Sequence, residues 1–201
     1  WLKKSVSADA MFLHTNPLQE SIQDAGDTNF SGLLEKIQQL CAESDFPIFI
    51  KEVGSGFSAV TARKMNFLNI AGIETAGAGG TSWALIEAKR YVKKMSQETG
   101  KLFSTWGVST AQSILNVKKH CDKKLIIGSG GVRHGLDAAK CLALGADLVA
   151  AALPFLKAAE QSVDCVVEEI ERFNHQLRTA MFLVGAKNIN TLKQTALTEL
   201  E

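Results

Sequence analysis

Leu125-Ile126-Ile127-Gly128-Ser129-Gly130-Gly131-Val132-Arg133 is the stretch on which the reading of this chain turns. Three β-prone apolar residues run directly into glycines. A second apolar segment, Leu148-Val149-Ala150-Ala151-Ala152-Leu153-Pro154-Phe155, follows one helix length later. A buried strand that ends in consecutive glycines brings bare backbone N–H groups close to an anion. A helix that opens at the end of the next strand adds its positive N-terminal dipole. Two successive strand ends used in this way form the phosphate grip of many (β/α) barrels. The stretch therefore predicts a parallel α/β fold that holds a phosphorylated ligand.

Outward from that stretch the same alternation repeats. Ala10 to His14 is a short apolar run that ends in polar residues and Pro17. Pro47 to Val53 is a strand closed by Gly54 and Gly56, and Gly72 to Gly77 is a third, followed by the loop Ala78-Gly79-Gly80-Thr81-Ser82. Leu125 to Ile127 and Leu148 to Ala152 are the fourth and fifth. Between them, Phe30, Leu33, Leu34, Ile37, Leu40 and Cys41 recur at helical spacing. Ser58 is the expected N-cap of a helix through Phe67-Leu68. Residues 83–100 are partly helical, and the charges at Lys89-Arg90 and Lys93-Lys94 read as a solvated surface. Trp106-Gly107-Val108-Ser109-Thr110 opens another helix that runs to His120, Gly135 to Leu144 is a further one, and helices fill the remainder.

Strands alternating with helices at this spacing imply βαβ units and a parallel sheet. Right-handed crossovers place every strand C-terminus on one face. The predicted fold class is α/β: a (β/α)8 TIM barrel of which the last five strand–helix units are visible, forming one domain over residues 1–201 as the C-terminal part of the barrel. Three units are expected before Trp1, since about eight strands close such a barrel. An open parallel sheet exposes two edges and part of an apolar face, so the chain is expected to associate as a homo-oligomer.

Composition narrows the partners. A net charge of +1 on 201 residues predicts no broad basic face, hence no nucleic acid. No apolar stretch approaches the ~20 residues of a membrane span, and no signal-peptide pattern is visible. The four cysteines lack metal-finger or CxxC spacing, and Cys41 and Cys141 read as small buried hydrophobes. A reduced, cytoplasmic location is expected.

The chemically distinctive residues cluster at the strand C-termini. Lys51 follows Ile48-Phe49-Ile50 directly. It either snorkels to solvent or points a cation into the barrel mouth, and the strand alternation favours the second. Gln19 and Glu20 are read on a loop past the first strand. They are either solvated or placed so that the carboxylate ligates Mg2+ while the amide orients a substrate. His14 and Asn16 share that ambiguity. Arg133 either clamps a phosphate or pairs with Asp137. Trp83 and Trp106 are candidate flat walls of a pocket, whereas His120, His134 and His175 read as structural. No nucleophile triad stands out, and the absence of a G-x-x-x-x-G-K-[ST] loop argues against nucleotide hydrolysis.

Taken in order, several segments resemble type 2 isopentenyl-diphosphate isomerase. They are Leu13-His14-Thr15-Asn16-Pro17-Leu18-Gln19-Glu20, Ile50-Lys51-Glu52-Val53-Gly54, Gly79-Gly80-Thr81-Ser82-Trp83 and Trp106-Gly107-Val108-Ser109-Thr110. Gly128 to Arg133, Pro154 to Lys157 and Ala180 to Ala186 continue the match. The resemblance runs along nearly the whole chain and covers the C-terminal part of such an enzyme. It implies an FMN-dependent enzyme that interconverts isopentenyl and dimethylallyl diphosphate in isoprenoid biosynthesis without net redox change, using flavin reduced by NADPH. By the same resemblance, Gln19, His14 and Asn16 would line the substrate site and Glu20 would hold Mg2+ against the diphosphate. Lys51 would stabilise the anionic reduced ring, Thr81 would bind FMN, and Gly130, Gly131, Ala152 and Leu153 would offer backbone to its phosphate. Ala76-Gly77-Ala78-Gly79 and Leu153 depart from the glycine-richer family pattern, so a weaker flavin contact is expected there. The competing expectations are another FMN (β/α)8 oxidoreductase, of the 2-hydroxy-acid oxidase type, and an inactive truncated half-barrel.

Overall fold

Five short runs form strands in the computed structural model, which describes residues 5–90, 93–121 and 123–198. They are β1 (Met11–Thr15), β2 (Ile48–Glu52), β3 (Gly72–Glu74), β4 (Leu125–Gly128) and β5 (Leu148–Val149). All neighbours are parallel and the spatial order is β1-β2-β3-β4-β5. Strands that pair in chain order, with every crossover on one side, make a singly wound sheet, the arrangement of a (β/α) barrel rather than of a doubly wound fold.

All five predicted strands are present, but two end early. β3 stops at Glu74 because Ala76 takes a left-handed φ of 34° and bends the chain out of the ladder. β5 stops at Val149, since beyond Gly128 its partner turns into glycines; the Ala150 N–H still reaches the Gly128 carbonyl at 3.0 Å.

Side chains alternate between two faces of the sheet. Met11, Leu13, Ile48, Ile50, Ile73 and Ile126 point outward and pack with Ile37, Met65, Leu68, Ile114, Val117 and Cys121 in the main core. Cys141 is buried in that core and Cys41 packs against it, as expected of small hydrophobes. Phe12, His14, Phe49, Lys51, Glu74 and Ile127 share the inner face through the registers Phe12↔Phe49, His14↔Lys51, Lys51↔Glu74 and Glu74↔Ile127. The Phe12 and Phe49 rings stack there at 4.8 Å. Among the described residues β1 and β5 are the sheet edges, and Phe12 remains 40% exposed.

The helices are α1 (Pro17–Ile22), α2 (Leu33–Glu43), α3 (Ala59–Met65), α4 (Trp83–Arg90), α5 (Lys94–Leu102), α6 (Thr110–His120), α7 (Gly135–Ala143), α8 (Leu153–Ala159), α9 (Val163–Leu183) and α10 (Ile189–Leu192). Ser58 caps α3 as predicted, accepting the Thr61 N–H at 3.1 Å. His134 has the structural role expected of it: its Nδ1 accepts the Asp137 N–H and caps α7. Lys89, Arg90, Lys93 and Lys94 are exposed, with Lys93 3.0 Å from Asp24. Ala139, Leu142, Ala180, Ala186 and Leu192 form a second small core that ties α9 and α10 to α7. No helix among the described residues is long and apolar enough to cross a membrane.

Candidate functional site

The inner face holds an ionic chain that crosses three strands. Lys51 on β2 stands in register with Glu74 on β3, and its Nζ pairs with the Glu74 carboxylate. Glu74 also accepts the Ser129 hydroxyl at 2.9 Å. The Ser129 oxygen in turn accepts the Ala76 N–H at 3.0 Å, which helps hold Ala76 in its left-handed conformation. Lys51 thus faces inward, its side chain 26% exposed, and does not snorkel outward. His14 is exposed on the same face as its register partner. The sequence reading had the lysine and missed Glu74 and Ser129. The available signal was the single carboxylate in the apolar run Gly72-Ile73-Glu74, where the alternation puts it beside Lys51.

Gln19 and Glu20 lie on helix α1, not on the loop expected from sequence. Pro17 in its first turn has a preset helical φ and lacks an N–H that would have had no partner there. The Glu20 N–H reaches the Asn16 carbonyl at 3.0 Å. Asn16 Nδ2 donates to Glu20 Oε1 at 2.9 Å and to Gln19 Oε1 at 3.3 Å, while the Asp27 N–H reaches Glu20 Oε2 at 2.8 Å. Gln19 Nε2 donates at 2.8 Å, and Gln23 Nε2 at 3.0 Å, to one oxygen of Glu87 on α4. Glu87 is fully buried, and its Oε2 has no hydrogen-bond partner among the described residues. Sequence reasoning missed this residue, although a lone carboxylate in Ala84-Leu85-Ile86-Glu87-Ala88 was visible.

Between α1 and the loops after β2 and β3 opens a cavity of about 360 Å3 of mixed character, lined by Asn16, Gln19, Gly80 and Thr81 and walled by Trp83 and Trp106. The two tryptophans take the wall positions expected of them. Glu52 lies below, its Oε2 accepting the N–H groups of Gly54 (2.6 Å), Ser55 and Gly56 (3.0 Å). Burial pushes its carboxyl above the ordinary range, and those N–H groups pull in the opposite direction. Glu20 is not among the lining residues of the cavity.

Gly130 and Gly131 take φ values of 111° and 71° and lie against Gly77, Gly79 and Gly80. A Cβ on Gly131 would collide with the Gly79 carbonyl, so the two glycine runs are needed for loop-to-loop approach. Arg133 neither pairs with Asp137 nor stands free. Its guanidinium donates to Gly79 O at 3.2 Å and to Gly131 O at 3.4 Å, linking the two loops. Asp137 instead accepts the Arg133 N–H at 3.0 Å and lies 3.2 Å from His134. Ala152 caps α8 and Leu153 begins it; Leu153 and Arg133 border a separate cleft of about 500 Å3. The structure therefore brings Asn16, Gln19 and Thr81 to one cavity and Lys51 and His14 to the inner face, with Ala152 and Leu153 beyond Arg133. No group of three or more His, Cys, Asp or Glu able to hold a metal ion occurs among the described residues.

The chain is 42% identical over 196 residues to an isopentenyl-diphosphate delta-isomerase of Xanthobacter autotrophicus, covering 98% of this chain and 57% of that protein. It is 47% identical over 189 residues to the protein of that name from Synechococcus sp., covering 94% and 54%. The chain thus spans about half the length of the curated relatives it matches. A solved structure described as a lactate oxidase of Pediococcus acidilactici superposes with a TM-score of 0.72 at 20% identity, covering 98% of this chain and 55% of that one. That likeness is one of fold, which does not carry function across. The isomerase resemblance seen in the motifs is thereby matched along almost the entire chain. The profile of the FMN-dependent dehydrogenases fits residues 11–199, and the chain belongs to that family.

Proposed function

We propose that this protein is an FMN- and Mg2+-dependent isomerase that interconverts isopentenyl and dimethylallyl diphosphate in isoprenoid biosynthesis, with NADPH as reductant, working as a cytoplasmic homo-oligomer. The observation that carries the reading is the cavity that gathers Asn16, Gln19 and Thr81 at the mouth of a sheet whose inner face presents Lys51. The isomerase name of relatives 42% and 47% identical supports it over the oxidase alternative.

The residues fit a flavin mononucleotide. The glycines let the loops around Gly79-Gly80 and Gly130-Gly131 pack closely together at the strand ends, and Lys51 supplies a cation on the inner face. In this reading Thr81 contacts the cofactor, the backbone of Gly130, Gly131, Ala152 and Leu153 holds its phosphate end, and Lys51 faces its ring. Bound and reduced, FMN would supply the acid/base group that the protein's own hydrogen-bonded carboxylates do not offer. Gln19, fixed between Glu87 and Asn16, would orient the substrate together with Asn16 and His14. Each oxygen of Glu20 accepts one hydrogen bond, and a carboxylate has about four lone-pair sites. That leaves capacity for a Mg2+ that keeps several waters and takes its other ligands from a diphosphate. The net charge of +1 gives no basis for nucleic-acid binding.

The test is the visible spectrum after adding FMN and removing the excess, followed by an isomerisation assay with reduced flavin, Mg2+ and isopentenyl diphosphate. Retained flavin bands and formation of dimethylallyl diphosphate are expected. A colourless protein, or oxygen-consuming oxidation of lactate or glycolate, would overturn the reading.

A further inference from the structure

We infer that Glu74, anchored by Ser129, is a positioning residue that holds the Lys51 ammonium on the inner face and offsets its charge, lowering the site's preference for reduced over oxidised flavin. The inference rests on the reading that Lys51 faces the FMN ring.

Three observations converge on it. Lys51 and Glu74 are register partners on adjacent parallel strands, so their side chains leave the same face of the sheet and the ammonium meets the carboxylate without a long reach. Glu74 is nearly buried, with a side-chain exposure of 11%, so its charge is poorly screened by water and acts on whatever lies beside Lys51. Ser129 has both of its roles determined: it donates to Glu74 at 2.9 Å and accepts the Ala76 N–H at 3.0 Å. Its hydroxyl hydrogen is therefore committed to the carboxylate. Ser129 also directly precedes Gly130, so one residue connects the carboxylate behind Lys51 to the glycine run.

The electrostatic sign follows. A lone lysine would favour the reduced, more negative ring over the oxidised one by its full charge. The adjacent carboxylate opposes that preference. Glu74→Gln retains an oxygen for Lys51 and Ser129 but removes the negative charge, so the preference for reduced flavin should rise. Ser129→Ala leaves the charge and removes the anchor, so affinity should fall for both oxidation states together.

The experiment measures dissociation constants of oxidised and reduced FMN for the full chain and its variants, with potentiometric titration of the bound flavin. Glu74→Gln is expected to raise the ratio of reduced to oxidised affinity about tenfold, a midpoint shift of about +30 mV for a two-electron couple. Lys51→Gln is expected to lower that ratio. If Lys51→Gln lowers the ratio while Glu74→Gln changes it less than twofold or lowers it, the role of Glu74 is refuted and the flavin placement stands. If Lys51→Gln has no effect, or the unmodified chain retains no FMN, the flavin placement fails and this inference fails with it. Should Glu74→Gln not fold, Glu74→Asp withdraws the charge from Lys51. A smaller rise in the same ratio then supports the role, and no change or a fall refutes it.

Discussion

Replacing Glu87 tests the best-defined polar contact between α1 and α4. Its side chain is fully buried, and one carboxylate oxygen accepts both Gln19 Nε2 at 2.8 Å and Gln23 Nε2 at 3.0 Å. Glu87→Ala deletes both bonds, at a net cost of about 1 kcal/mol each, together with the longer 3.4 Å contact from Arg90, whose largely exposed side chain adds little. The space left by the truncated side chain adds about 1 kcal/mol more, because the surroundings relax only in part. Gln19 and Gln23 are only half-buried and can turn toward water, which limits the penalty for their freed donors. The sum is about 3 kcal/mol, or about 6–12 °C in Tm for a chain of this size. Glu87→Gln keeps an oxygen toward the two glutamines and puts an NH2 where Oε2 has no partner, so it should cost less than about 1 kcal/mol. Urea and thermal unfolding of the two variants supply the comparison. If Glu87→Ala costs under about 0.5 kcal/mol, or Glu87→Gln costs as much as Glu87→Ala, the α1–α4 contact does not hold the helix and the reasoning is wrong.

Other expectations follow from single contacts. Gly131→Ala places a Cβ against the Gly79 carbonyl at φ 71° and should cost at least about 2 kcal/mol. Gly185→Ala, at φ 70° with nothing within 4 Å of the added carbon, should cost only about 1 kcal/mol; equal losses in thermal unfolding would rule out the loop-to-loop packing argument. Cys141 has its thiol pushed up to about 11 by burial and then by Asp137. A pulse of iodoacetamide at pH 8 read by mass spectrometry should therefore label the half-exposed Cys165 well before Cys141. For Asp147, burial pushes the carboxyl up, but Lys193 at 2.6 Å, the Ile126 N–H and Lys118 hold it below its usual value. A carboxyl depressed by folding contributes stability above its unfolded value of about 3.9, and that contribution is lost as pH falls through the folded value. Discounted for partial exposure, Asp147→Asn should cost about 1 kcal/mol at pH 7 and progressively less as pH falls below the unfolded value. A deficit that persists unchanged at pH 3 would mean the Lys193 contact contributes no charge-dependent stability.

Local chemistry along the chain was enough to determine the βα alternation, the parallel sheet, the end of each strand where the distinctive residues gather, and the Ser58 cap. Period-2 and period-3.6 patterns and glycine punctuation are properties of neighbouring residues, and they survive in a bare sequence. The motifs from Leu13 to Glu20 and from Ile50 to Gly54 pointed to the same relatives that match along nearly the whole of this chain. Strand ends and partners were a different matter. β3 ends at Glu74 because Ala76 is held at positive φ by a serine 53 residues away. Arg133 was read against Asp137, its near neighbour in sequence, yet its guanidinium goes to carbonyls on two glycine loops. Glu74 and Glu87 stand out in the sequence as lone carboxylates in apolar runs, but the sequence does not name their partners. Only the register of β2 with β3 puts one beside Lys51, and only the packing of α1 on α4 buries the other under Gln19. The physical reason is common to all four. A polar group takes its partner wherever the chain returns in space, and that return is decided by the pairing of strands and the docking of helices and loops rather than by neighbouring residues.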